Sequence, residues 1–164
     1  PFIFGRGGEE LDELRRAGVE VEVINGITTG LYASTALGTA LTHREQAHGV
    51  EFVTGHAHSG HEGVDWTALA TTAHQARLTL VIYMGMQGVG AIQRGLLQGL
   101  PATTPVAVVQ DASLPTERQL LTVLASLEQT ILDRQFRSPG IIVVGDVLQG
   151  LLAARSADPL TRRA

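Results

Sequence analysis

Residues 78–85 read Leu-Thr-Leu-Val-Ile-Tyr-Met-Gly. Six residues rich in branched and aromatic side chains run without a charge and stop at a glycine. That is the pattern of a strand buried on both faces. Two further runs share it, Val106 to Val109 (VAVV) and Ile141 to Val144 (IIVV), and Glu51 to Thr54 (EFVT) suggests another strand. Between them lie segments of helical character. Residues 65–76 carry Asp65 where an N-cap belongs, and residues 88–98 keep a helical pattern despite Gly90 and Gly95. Strands alternating with helices predict an α/β fold, its sheet covered on both faces.

Outward from this centre, residues 9–17 (EELDELRRA) predict an amphipathic helix. Leu11 and Leu14 share a face, acids come early and Arg15 and Arg16 late, as the helix dipole favours, and Gly18 ends it. Residues 19–24 (VEVEVI) alternate apolar and acidic, which predicts a half-buried strand. Residues 28–37 predict a closely packed helix. Residues 116–133 predict a helix interrupted by a short strand, residues 56–63 a polar loop, and Arg155 onward a frayed tail.

Composition narrows the function. The 164 residues are 44% hydrophobic and 4% aromatic, with a formal net charge of −4. A core of Ala, Val, Leu and Ile follows, and no dense basic run invites nucleic acid. Every basic residue is Arg; without Lys there is no lysine general acid or Schiff base. Without Cys there is no disulfide, thiolate metal site or cysteine nucleophile. Apolar runs are too short to span a bilayer, so a cytoplasmic protein is the default expectation. The opening Pro-Phe-Ile-Phe wants an apolar partner and reads as the start of a fragment.

Five clusters carry chemistry, each beside a plainer reading. Phe4 to Glu10 (FGRGGEE) follows an apolar strand expected at residues 1–4 and opens a helix, so backbone N–H groups could meet a ligand; a tight strand-to-helix turn is the preferred reading. Asn25 to Gly30 (NGITTG) offers hydroxyls for a ligand's polar edge, although helix capping is the better single reading. His56, His58 and His61 could ligate zinc, but a solvated loop is preferred. Tyr83-Met84-Gly85 and Gln110-Asp111-Ala112-Ser113 each follow a strand, where open α/β sheets bind ligands. Met84 could pack on an adenine or a sulfonium group, or fill a gap in the core. No acid–base pair or Ser-His-Asp set is legible.

The strings PFIFGRGGEE, NGITTG, LTHREQAHGVEFVTGH, DW, LVIYMG, PVAVV and SPGIIVVGDV stand here in one order. Over residues 1 to about 150 they resemble the uroporphyrinogen-III C-methyltransferase family of the tetrapyrrole methylases. PFIFGRGGEE and the LTHR…VTGH block are the specific ones. The resemblance implies residues 1–40 as the end of an N-terminal domain, residues 41–150 as a C-terminal α/β domain, and residues 151–164 as a tail. It implies a homodimer that transfers methyl groups from S-adenosylmethionine to carbons 2 and 7 of uroporphyrinogen III, giving precorrin-2 for sirohaem or cobalamin and releasing S-adenosylhomocysteine. It places Ile3, Thr28, Thr29, Met84, Ala112 and, more weakly, Gly140 against the cofactor, and assigns no metal and no catalytic residue to these 164 residues. The family's Gly-Pro-Gly-Asp segment, Gly-Gly-Asp segment and catalytic acid and base are absent from them, so this chain alone is expected to be inactive or a weak cofactor binder. The family's usual Pro is Asn25 here, its Ile-Pro or Val-Pro is Thr39-Ala40, and its Glu-Asn is Gln110-Asp111. Two other readings stay open: a non-catalytic dimerisation or binding module, and a methylase of a later cobalamin precursor.

Overall fold

The computed structural model describes residues 1–56 and 63–157. Helices α1 (Gly7–Arg16) and α2 (Thr29–Leu37) come first. Then follow β1 (Gly49–Thr54), α3 (Trp66–Ala76), β2 (Leu78–Tyr83), α4 (Val89–Leu96), β3 (Pro105–Gln110), β4 (Arg118–Val123), α5 (Leu127–Asp133), β5 (Gly140–Val144) and α6 (Gln149–Ala157). Single 3₁₀ turns precede α5 and α6.

The five strands form one mixed sheet in the order β1-β2-β5-β3-β4. β1 and β2 run parallel; β5 lies antiparallel to both β2 and β3, and β4 antiparallel to β3. Side chains alternate between faces with a period of two, and this alternation makes two cores. Leu80, Ile82, Val106, Val108, Ile142 and Val144 pack under α3, α4 and α5. Val81, Tyr83, Ala107, Val109, Ile141 and Val143 pack with Ala33 and Leu37 of α2 on the other face. The α/β expectation therefore holds, with both faces covered.

Local chemistry explains the helix limits. Asp65 Oδ1 accepts from the amides of Thr67 at 3.1 Å and Ala68 at 3.0 Å, which caps α3 as its position suggests. α4 keeps Gly95 because a Cβ there would lie 2.4 Å from Trp66 Cβ; a glycine that weakens a helix alone lets two helices close on each other. On α1 no residue is buried, and ion pairs Arg6–Glu9 and Arg16–Glu13 support it.

Three expectations are corrected. Residues 19–24 form no strand, and neither does the apolar segment 1–4. Alternation marks a face, but a strand also needs a neighbour to satisfy its backbone, and no described strand lies beside either segment. Residues 116–133 are not mainly helical: Arg118–Val123 pairs with all six residues of β3, and only Leu127–Asp133 is α-helical. Register against a buried strand outweighs helix propensity there. Of the tail expected from Arg155 onward, residues 155–157 continue helix α6, whose Leu151 packs on the second core, and residues 158–164 lie outside the described residues.

Ile142 is fully buried in the strand that joins the two halves of the sheet. Ile142→Ala should lose about 2–5 kcal/mol, whereas Leu132→Ala, at a side chain 64% exposed, should change stability by less than about 0.5 kcal/mol. Equilibrium urea denaturation reads both.

Candidate functional site

Because β5 runs antiparallel between β2 and β3, the C-terminal ends of β2 and β3 and the N-terminal end of β5 meet at one edge of the sheet. The register fixes this: Ile82 faces Ile142, and Gln110 faces Gly140. Met84, Asp111 with Ala112, and Gly140 thus converge, although 28 positions in sequence separate Met84 from Ala112 and Ala112 from Gly140.

The backbone at this edge is strained in a repeated way. The residue directly after β2, Met84, has φ 54°, and the residue directly after β3, Asp111, has φ 51°; Ser113 follows at 70°. Non-glycine residues held there cost about 1–3 kcal/mol each and gather at ligand sites. The Asp111 conformation is held by its amide, which donates to Pro139 carbonyl oxygen at 3.1 Å. Gln110, buried, fastens the same corner: Nε2 donates to Asp111 Oδ2 at 3.1 Å, and Oε1 accepts from the Arg137 amide at 2.8 Å.

A cavity of about 520 Å³ opens over this edge. Met84, Val109, Ala112, Leu114, Pro139 and Ile141 make an apolar wall, and Thr29, His56, Gln87, Asp111 and Ser138 supply the polar groups. Gly140 also lines it; a Cβ there would stand 3.1 Å from Met86 Sδ. A second cavity of about 580 Å³ continues from it, sharing Thr29, Tyr83 and Met84 and adding Ile3, Phe4, Ile27 and Thr28. All six residues singled out from sequence, Ile3, Thr28, Thr29, Met84, Ala112 and Gly140, thus line one or both of two adjoining cavities. The size and the mostly apolar lining suit a nucleoside-sized ligand.

Thr28 occupies the N-cap position of α2 yet makes no capping bond. Capping was the better reading from sequence; instead, the Thr28 hydroxyl lies 2.7 Å from Tyr83 Oη. The Gly30 amide donates to the same oxygen at 2.8 Å, and the Phe4 ring tilts against the Tyr83 ring at 4.9 Å between centroids. Gly30 has no room for a side chain, since a Cβ would lie 2.4 Å from Tyr83 Oη and 2.7 Å from Val81 Cγ1. Sequence reasoning passed over the Tyr83 side chain, His56 as a wall residue, Gln87 and Ser138. For Tyr83 a signal existed: it shares a face with Val81, and a tyrosine on a buried face needs a partner for its hydroxyl.

Below the cavity, Glu117 braces the 111–117 loop. Its Oε2 accepts from the Ser113 amide at 2.9 Å and its Oε1 from Gln119 Nε2 at 3.2 Å. These bonds, the Ser113 amide foremost, hold the Glu117 carboxyl below its ordinary value, while the Tyr32 phenol is raised, chiefly by its hydrogen bond to Glu117. Of the three histidines considered for zinc, His56 lines the cavity, and His58 and His61 lie outside the described residues. Among the described residues no three His, Asp or Glu side chains are grouped to hold a metal.

Two outcomes follow from this geometry. Gly30→Ala must displace Tyr83, and should cost about 1–3 kcal/mol in denaturation experiments, as overpacking does. A carboxyl whose folded pKa is depressed contributes stability above its ordinary value of 4.5 and loses it as pH falls through the lower folded value. The Ser113 amide resonance should therefore titrate below pH 4.5 with Glu117, and Glu117→Gln should abolish that titration.

The tetrapyrrole (corrin/porphyrin) methylase family matches residues 1–128. A sirohaem synthase from Nitrosomonas eutropha is 40% identical over 150 residues, covering 91% of this chain and 31% of that protein. A uroporphyrinogen-III C-methyltransferase from Synechocystis is 40% identical over 151 residues, covering 90% of this chain and 56% of that protein. A crystal structure of the Thermus thermophilus uroporphyrin-III C-methyltransferase complexed with S-adenosylhomocysteine superposes with a TM-score of 0.75 at 35% identity, over 90% of this chain and 60% of that one. The chain thus spans between about a third and three-fifths of the proteins it matches. With the match over residues 1–128, these 164 residues belong to the tetrapyrrole methylase family.

Proposed function

We propose that this chain forms much of one wall of the S-adenosylmethionine cleft of a uroporphyrinogen-III C-methyltransferase, which methylates carbons 2 and 7 to give precorrin-2. The observation that carries this reading is the meeting of Ile3, Thr28, Thr29, Met84, Ala112 and Gly140 around adjoining cavities at one sheet edge. The S-adenosylhomocysteine complex of the Thermus relative supports the choice of ligand.

The residues fit that ligand in kind. Met84 and Ala112 present apolar surface at two strand ends, suited to a planar base or a thioether. Ala112 is small enough for close approach, and Ile3 and Gly140 extend the wall. Thr28 and Thr29 offer hydroxyls at the start of α2. S-adenosylmethionine, when bound, supplies an electrophilic methyl group. The chain's own share is to hold that ligand in a fixed orientation and keep water from it, and positioning of this sort can supply much of a methyl transfer rate. No residue of this chain is assigned the handling of the proton. Residues 1–40 belong, in this reading, to the end of one domain and 41–150 to another, within a cytoplasmic homodimer. Alone, the chain supplies part of the cleft and does not turn over.

Titration with S-adenosylhomocysteine, followed by backbone amide resonances, tests this. Shifts should concentrate at Thr28, Thr29, Met84 and Ala112 and fade in Ala112→Leu, which fills the wall without burying a polar group. Affinity should be weaker than that of the Synechocystis relative measured in parallel. No shift at millimolar ligand, or shifts confined elsewhere, refutes the reading.

A further inference from the structure

Two hydrogen bonds end on one oxygen, and their directions are not independent. The Gly30 amide can only donate, so it takes a lone pair of Tyr83 Oη. Thr28 Oγ1 is the one remaining partner of that phenol among the described residues. Tyr83 is only 8% exposed. If Thr28 donated to it, the phenol hydrogen of this largely buried side chain would have no acceptor among the described residues, and such a group is expensive to leave unmade. The favourable arrangement has Tyr83 donating to Thr28 Oγ1. Thr28 makes no other side-chain bond and lines the second cavity, so its own hydroxyl hydrogen is left to face the cleft.

We propose that Tyr83 is a positioning residue that sets the polarity of Thr28, presenting it as a hydrogen-bond donor to a lone-pair acceptor on the ligand, a carboxylate oxygen or a ring nitrogen. The inference rests on the cofactor reading above and adds a direction to it. Tyr83 touches the turn at Thr28 and Gly30 and steadies Phe4 beside Ile3. Its backbone carbonyl also accepts from the Gly55 amide at 2.6 Å, and strained Met84 follows it directly. Tyr83, which lines both cavities, therefore ties the first to the second.

The test compares Tyr83→Phe, Thr28→Val, Thr28→Ser and the Tyr83→Phe/Thr28→Val pair in the full chain. S-adenosylhomocysteine affinity is measured by calorimetry, and Gly30 amide exchange by NMR, below each variant's unfolding midpoint. Phe keeps the ring against Phe4 and Phe52, and Thr28→Val cuts the same bond at a half-buried position should Tyr83→Phe fold poorly. Thr28→Val should weaken binding about fivefold to tenfold, the loss of one hydrogen bond, and Thr28→Ser should restore it. Tyr83→Phe should weaken it by a similar factor and speed Gly30 exchange. The double variant should lose little more than either single one, because both cut one relay. Wild-type affinity in Tyr83→Phe, simply multiplying losses, or unchanged Gly30 exchange overturns the proposal. No binding by the wild-type chain overturns the cofactor reading and the donor role of Thr28 together.

Discussion

Strand β5 is the last strand among the described residues and lies in the middle of the sheet, bonded to β2 on one side and β3 on the other. Everything at the cleft depends on that placement. Without it the parallel pair β1-β2 and the antiparallel pair β3-β4 would share no hydrogen bonds. With it, β2 and β3 point the same way, their carboxyl ends lie at one edge, and Gly140 enters between them. Ile142 and Val143 are fully buried on opposite faces of this strand, so both cores are anchored on it. A site made of residues far apart in sequence is thereby assembled by a single strand insertion.

That insertion was not legible in the sequence, whereas the strands themselves were. LTLVIY, VAVV and IIVV are continuous apolar runs, and burial on both faces is what such runs require. Nothing local in IIVV says which neighbours it takes, because pairing order is a property of the whole sheet. The same limit explains VEVEVI. Its alternation is as good as that of a real edge strand, yet Val23 and Ile24 are exposed beside no described strand. RQLLTV errs the other way: its residues tolerate a helix, and the register with β3 decides for a strand. Asp65 could be placed at once because a cap is a contact between residues two and three apart.

The candidate site residues rest partly on physics and partly on resemblance. Open sheets bind ligands at the turns after their strands, and in two such turns Met84 and Asp111 have positive φ. Which residue in each turn faces the cavity came from the family strings. Seven of the twelve large apolar residues exposed among the described residues cluster there: Phe2, Ile3, Phe4, Ile27, Leu31 and Met84 line the second cavity and Leu114 the first, while Leu14, Val19, Val23, Ile24 and Leu132 lie on neither. Clustered exposure of that kind marks a surface built to meet something.

Asn25 stands where the family resemblance leads one to expect a proline, and here the turn is held by other means. Proline would narrow the backbone before α2 and so reduce what folding must order. Asn25 instead accepts from the Gly26 amide through Oδ1 at 3.0 Å, an exposed bond that leaves the 25–27 segment with Ile27 80% exposed. The turn is held instead at Thr28 and Gly30, which both bond Tyr83 Oη beneath them. Order thus comes less from the loop's own residues than from the sheet under it. The cleft face of the turn is then only as well defined as the strand end that carries Tyr83, and that strand end is held between β1 and β5.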